Sequence, residues 1–343
     1  MRRLITTTAI AASVTMMLAA STAQARDQIR IVGSSTIFPL TTKVAEYFGK
    51  TTGQSAPVVE STGSGGGFKL FCGGIGAEYP DIVDASRQIT GSETAICAAN
   101  SVSHISEIKI GYDGIVLMGG RNAPAMSLTA RHLYLALART VPVKGASVPN
   151  PNIKWSDIDA DLPDIPIRVY GPPPTSGTRD LMGQLLMDKG CATFSDIASL
   201  EASDPESFRL LCRTIREDGA YIAAGENDRL VISKLEKDPK SYGIMGFNNL
   251  DRNRDTMQGV SINGVAPDYD TILDGSYPGS RALYLYVKDD HQQLVRTLGA
   301  FISTYTSDAV IGEEGLLAEN GLVPLPDDER ADALAGAQKF AGN

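Results

Sequence analysis

Short apolar runs alternate along this chain with amphipathic stretches of helical period. The strand-like runs are Ile29–Val32, Val58–Glu60, Ile82–Val83, Ile108–Gly111 continuing through Ile115–Met118, Ile167–Tyr170, Tyr242–Phe247 and Leu283–Val287. Between them the spacing predicts helices over Leu40–Phe48, Gly67–Ile75, Leu133–Ala138, Asp180–Met187, Asp228–Leu235 and Gln292–Tyr305. Strands and helices joined by short turns predict an α/β fold with mostly parallel sheets flanked by helices. No internal repeat or low-complexity tract interrupts the pattern, and the Pro-rich turns at 149–151 and 172–174 are too short to be interdomain linkers.

Two runs are unusually continuous, "IGYDGIVLMGG" (110–120) and "RALYLYVKDD" (281–290). Read as hinge strands, they divide residues 26–343 into two nested lobes: 26–115 plus 282–343, and 116–281. The other arrangement is two lobes in series.

The N-terminal segment changes the picture. Arg2 and Arg3 precede an apolar stretch around Ala9–Ala20, and Ala23-Gln24-Ala25 has the small-x-small pattern of a leader cleaved after Ala25. No Cys stands there to carry a lipid, and no later stretch has the ~18–20 apolar residues of a membrane span. The expectation is an exported, periplasmic, soluble protein. Without residues 1–25 the chain keeps 29 of its 31 basic residues against 40 acidic ones. Such a body argues against nucleic acid or an anionic membrane as partner. A small anion is not excluded, because backbone N–H groups and one Arg suffice to hold it. Cys72, Cys97, Cys191 and Cys212 suit two disulfides in an exported chain. The local pairing, Cys72–Cys97 and Cys191–Cys212, keeps each bond inside one lobe; four buried thiols are the alternative.

Three turns share one grammar. "IRIVGSSTIFPL" (29–40), "PVVESTGSGGGFKLF" (57–71) and "VYGPPPTSGTRD" (169–180) each run from strand through Ser, Thr and Gly into a helix. In open α/β sheets these junctions face the ligand crevice. Helix N-termini there carry unpaired N–H groups and partial positive charge. Small residues let an oxyanion reach the backbone, and hydroxyls add donors. One such turn is an ordinary N-cap; three suggest a tetrahedral oxyanion held by converging helix ends. The donor sets are Ser34, Ser35 and Thr36; Ser64, Gly65 and Gly66; and Thr175, Ser176, Gly177 and Thr178.

A charged partner is expected as well. Arg87 in "DIVDASRQI" follows a strand at the same edge, as an anion ligand or as a salt-bridge partner of Asp84 or Glu93. Asp113, beside Gly114 in the first hinge strand, is either a carboxylate accepting a ligand proton or a bulge aspartate. Catalytic motifs are missing. "TGSGGGFK" is neither a Walker A loop nor G-x-G-x-x-G, no Ser has Gly at both −2 and +2, and there is no H-E-x-x-H. His104, His132 and His291 lack partner spacing and read as surface or packing residues; Trp155 reads as an anchor, and 269–287 as scaffold. No cofactor, metal or enzymatic activity is expected.

The ordered set GSSTIFPL, ESTGSGGGFKLFC, DIVDASRQI, IGYDGIVL, KWSDI, YGPPPTSGTRD, SYGIMGF and YDTILDGSYPGSRALYLYV resembles the periplasmic phosphate-binding proteins of ABC importers, the PstS type, from about Gln28 to Val287. The resemblance implies a two-lobed, hinge-bending receptor of the type II periplasmic-binding-protein fold, with inorganic phosphate in the cleft and a membrane permease as partner. It implies ligand contacts from Ser35, Thr36 and the backbone of Ile37, from Ser64, and from Ser176, Gly177 and Thr178. This chain departs from the best-known pattern twice. Pro172 stands where an Arg precedes the Ser-Gly-Thr turn, and Arg87 stands where an Asp follows Ala-Ser. The charged ligands expected are therefore Arg87 and Asp113. Alternatives are another oxyanion (sulfate, molybdate, a phosphonate, a small carboxylate) or a phosphatase-like hydrolase; a monomer is the default.

Overall fold

The computed structural model describes residues 26, 28–174, 176–224 and 228–340. The expected leader and Thr175 of the third turn lie outside the described residues.

The first lobe begins as the apolar pattern dictates. Strand β1 (Arg30–Gly33) leads into helix α1 (Phe38–Thr52), β2 (Val58–Ser61) into α2 (Ser64–Phe71), and β3 (Ile82–Ala85) into α3 (Gly91–Ala99). β1 pairs in parallel with β2 on one side and β3 on the other. α1 buries Val44, Ala45 and Phe48 and stops at Gly53, whose φ of 69° is the left-handed turn that favours glycine. α2 crosses β1 so closely that a Cβ on Gly67 would stand 2.8 Å from the Cα of Gly33.

The long strand β4 (Ile105–Gly120) joins the lobes. From Ile105 to Gly114 it pairs antiparallel with the return strand Ser280–Lys288; from Ile115 to Gly119 it pairs antiparallel with Tyr242–Gly246. Beyond these, Tyr242–Gly246 pairs in parallel with Val169–Gly171, and that strand with Tyr221–Ala223. The result is one curled sheet with two parallel wings and an antiparallel centre. The parallel expectation holds in the wings, where helices cross over between strands. The centre is antiparallel because the chain leaves and re-enters the first lobe there.

Trp155 is fully buried and packs edge-on against Tyr242, while Phe48, Phe301 and Tyr305 pack together in the first lobe. The two disulfides are Cys72–Cys97, tying α2 to α3, and Cys191–Cys212, as the local pairing anticipates. Some elements differ from the sequence pattern. The stretch expected to be helical from Gln292 is a short 3-10 turn, Asp289–Gln293, and the helix starts only at Leu298. Tertiary bonds fix that turn: buried His291 donates through Nδ1 to Asp81 at 2.6 Å and accepts the Gly76 N–H on Nε2 at 3.1 Å. The helices between Ser195 and Arg213 and the helix Asp327–Gln338 were not anticipated: Asp327–Gln338 carries no strong apolar period, whereas Pro205–Arg213 is amphipathic, burying Phe208 and Cys212, and was legible.

Candidate anion-binding cleft

The three turns come to the strand ends at one side of the sheet, but they do not line one recess. In the first turn, Gly33 and Ser34 sit on β3: the Ser34 N–H donates to the Asp84 carbonyl at 2.9 Å. The Ser34 hydroxyl accepts the Thr36 N–H at 3.2 Å, and Ile37 is the buried N-cap of α1 with no side-chain cap. Thr36 and Ser35 remain half-buried above it. The second turn rises from Gly63, whose φ of 73° is open to glycine, into Ser64. The Ser64 hydroxyl accepts the Ser86 N–H at 3.2 Å and lies 3.2 Å from the Ser86 hydroxyl. The third turn begins the helix Gly177–Met182; its N-cap Ser176 is buried, yet makes no side-chain cap. Its hydroxyl is therefore not used to close the helix.

Two recesses of about 440 Å³ each result. Thr36 and Asp113 meet Ser176 and Thr178 in the first, with Asp228, Asn248 and Asn249 on the second-lobe wall and Asn320 at the edge. Ser34, Ser35, Ser64 and Arg87 meet Gln184 and Arg281 in the second. Gly65 lines the second recess as well, whereas Gly66 lines neither.

Charge is distributed unevenly. Burial raises the carboxyl of Asp113 above its usual range, while the Arg281 charge and the Gly114 N–H oppose the shift. Asp113 and Arg281 are direct partners in the ladder between β4 and the return strand. Arg87 is exposed and held by Glu93 through bonds of 2.7 and 2.8 Å. Burial pushes Asp84 up to about 7, against hydrogen bonding from Thr41 and the Ser34 backbone. Of the two partners open to Arg87 in the sequence, the structure thus selects Glu93. Arg179, next to the third turn, points back to the Pro172 carbonyl at 3.1 Å and stacks on Tyr221.

Arg281 belongs to the segment read as scaffold, and the structure brings it to the cleft. It lines the second recess, donating from Nη2 to Oγ1 of Thr36, which lines the first, at 2.5 Å and from Nη1 to Gln184 Oε1 at 3.2 Å. Ser35 reaches across to Asp180 at 3.4 Å. Among the described residues no cluster of His, Cys, Asp or Glu is arranged to hold a metal, and no helix is long and apolar enough to cross a membrane.

The profile of the PBP superfamily domain matches residues 18–309. The chain belongs to the PBP superfamily. Relatives include SphX of Synechococcus elongatus, 28% identical over 318 residues (91% of this chain, 80% of that protein). Another is the phosphate-binding protein PstS of Staphylococcus saprophyticus, 25% identical over 317 residues (90% and 83%). Among solved structures, a "possible phosphate binding protein" of Planctomyces limnophilus superposes with a TM-score of 0.70 at 24% identity, covering 92% of this chain and all but 1% of that one. PstS of Borrelia burgdorferi gives a TM-score of 0.57 at 19% identity, over 88% of this chain and 100% of that one. These superpositions fix the superfamily's two-lobed fold for this chain.

Proposed function

We propose that the protein is an extracytoplasmic receptor that binds inorganic phosphate between its lobes and hands it to the membrane permease of an ABC importer. The observation that carries this reading is the first recess. Hydroxyls from two anion-type turns, Thr36 on one lobe and Ser176 and Thr178 on the other, face it together with the carboxylate of Asp113. The name of the PstS relative, a phosphate-binding protein, supports phosphate as the ligand.

In this reading Ser35, Thr36, the Ile37 backbone, Ser64, Ser176, Gly177 and Thr178 supply donors. Arg87, held by Glu93, adds positive potential at the rim. Phosphate near neutral pH carries at least one O–H, and sulfate carries none. A carboxylate acceptor at Asp113 therefore favours phosphate and leaves sulfate facing an unpaired charge. The lobes are 26–115 plus 282–343 and 116–281. Contacts from both lobes exist only when the cleft is closed, so the anion shifts the population toward closure, which the permease then reads. The receptor does no covalent chemistry, acts as a monomer, and matures by cleavage after Ala25.

Calorimetry on residues 26–343, stripped of ligand by unfolding and refolding, tests the reading. One-to-one phosphate binding without a sulfate response is the expected result. Equal binding of sulfate removes the acceptor argument, and silence to both removes the phosphate reading.

A further inference from the structure

Three arginines flank the cleft, and two are already engaged. Arg87 is forked onto Glu93, and Arg179 is turned onto Pro172 and Tyr221. Arg281 differs. Its Nε is buried and has no hydrogen-bond partner among the described residues. Its other two nitrogens bridge the lobes, to Thr36 before α1 and to Gln184 in the second lobe. It stands on the return strand, directly across from Asp113 on β4, so the group sits where both lobes and both long strands meet.

A guanidinium offers five N–H donors and keeps its charge at neutral pH. Enclosing it with donors unused is costly unless an anion completes the set. Burial pulls Arg281 down to about 10, and the charges of Asp113 and Asp180 hold it up. These carboxylates balance the cation, but neither is hydrogen-bonded to Nε, and the group borders the anion-type turns on both sides.

We propose that Arg281 is the cation that binds the ligand oxyanion, and that its bridge to Thr36 and Gln184 couples that binding to lobe closure. The inference rests on the anion-receptor reading and names the residue that carries it. Asp113 then has a second task, holding the Arg281 fork against the cleft wall. An oxyanion on Arg281 shares the hydroxyl of Thr36 in the first lobe and brings the Gln184 helix with it. Opening the cleft parts Thr36 from Gln184 and breaks the bridge, so ligand charge and lobe position are linked through one side chain.

The test compares the parent chain (26–343) with Arg281→Met, Arg281→Lys and Arg87→Met. Each is titrated with phosphate, sulfate and molybdate, and X-ray scattering follows compaction on ligand addition. With two or more charge-assisted bonds removed, Arg281→Met should bind at least about 100-fold more weakly and fail to compact. Arg281→Lys keeps a point charge without the fork and should lose about 10-fold. Arg87→Met, which removes positive potential at the rim, should lose less than Arg281→Met. Binding of Arg281→Met within about 3-fold of the parent overturns the inference and leaves the receptor reading standing. So does a loss in Arg87→Met as large as that in Arg281→Met. If Arg281→Met does not fold by circular dichroism, the lysine variant decides, and parent-like affinity and compaction there overturn the proposal. A parent silent to all three anions overturns the receptor reading and the inference with it.

Discussion

Arg87 and Arg281 line the same recess, and the structure treats them in opposite ways. Arg87 is exposed and satisfied within its own lobe: Glu93 holds its fork and also caps α3 through the Thr90 N–H at 2.9 Å. Arg281 is half-buried, bridges two lobes and keeps its buried Nε in reserve. Proximity to a site is therefore a poor guide to which cation serves it. The discriminating quantity is how many donors remain unmatched when the protein is complete, because an enclosed charge gains far more from a ligand than a hydrated one.

The contrast can be pressed in order of expected effect. Asp84, the partner Arg87 does not take, should make the largest difference, and in stability. Its folded pKa is raised to about 7 from an ordinary 3.8. The unfolded chain therefore releases the proton first, and stability falls as pH rises from about 4 to about 7, then levels. At about 1.4 kcal/mol per unit the swing is at most about 4 kcal/mol. Asp84→Asn should flatten that slope in denaturant titrations between pH 4 and 8. An unchanged slope would mean that Asp84 is ionised in the folded protein.

Next comes Asp113→Asn, which removes both the acceptor for a ligand proton and the counter-charge of Arg281. Phosphate over sulfate preference should fall by about 100-fold or more, read by paired calorimetric titrations. Undiminished preference would assign the acceptor role to another carboxylate of the cleft, with Asp228 first in line. Thr36→Val is milder. It strips one hydroxyl from the ligand and one acceptor from Arg281, and phosphate affinity should drop about 10-fold. An unchanged Kd would separate Arg281 from the first turn. The smallest effect is expected from Glu93→Gln. Exposed pairs contribute about 1 kcal/mol or less, so the melting temperature should move by a few degrees at most and the Kd by less than about 3-fold. A pronounced gain in affinity would show that Glu93 competes with the ligand for Arg87.

The sequence reading reached the strand-turn-helix repeats, the hinge strands and the disulfides because each is written in local residues: Gly where φ is positive or backbones touch, Ser and Thr at helix mouths, Cys within one lobe. Arg281 was hidden because "GSRALYLYV" looks like any strand with a solvated first residue. Its meaning depends on register with Asp113 and on Thr36 and Gln184, contacts made far along the chain. The break before Leu298 had the same origin, since His291 is fixed by Asp81 and Gly76 rather than by its neighbours. α3 could have been found: Thr90-Gly-Ser-Glu93 is a capping box, and it forms.

Gly114 and Ser280 are ladder partners, so the chain departs for the second lobe and returns from it at neighbouring points. In the terms of gene architecture, the residues between Gly114 and Ser280 are an insertion whose two ends already touch. A short turn joining those ends closes the first lobe without stretching its sheet. A foreign domain whose termini lie as close together as Gly114 and Ser280 meets the same geometric condition at this junction, with the strands that carry Asp113 and Arg281 left in place.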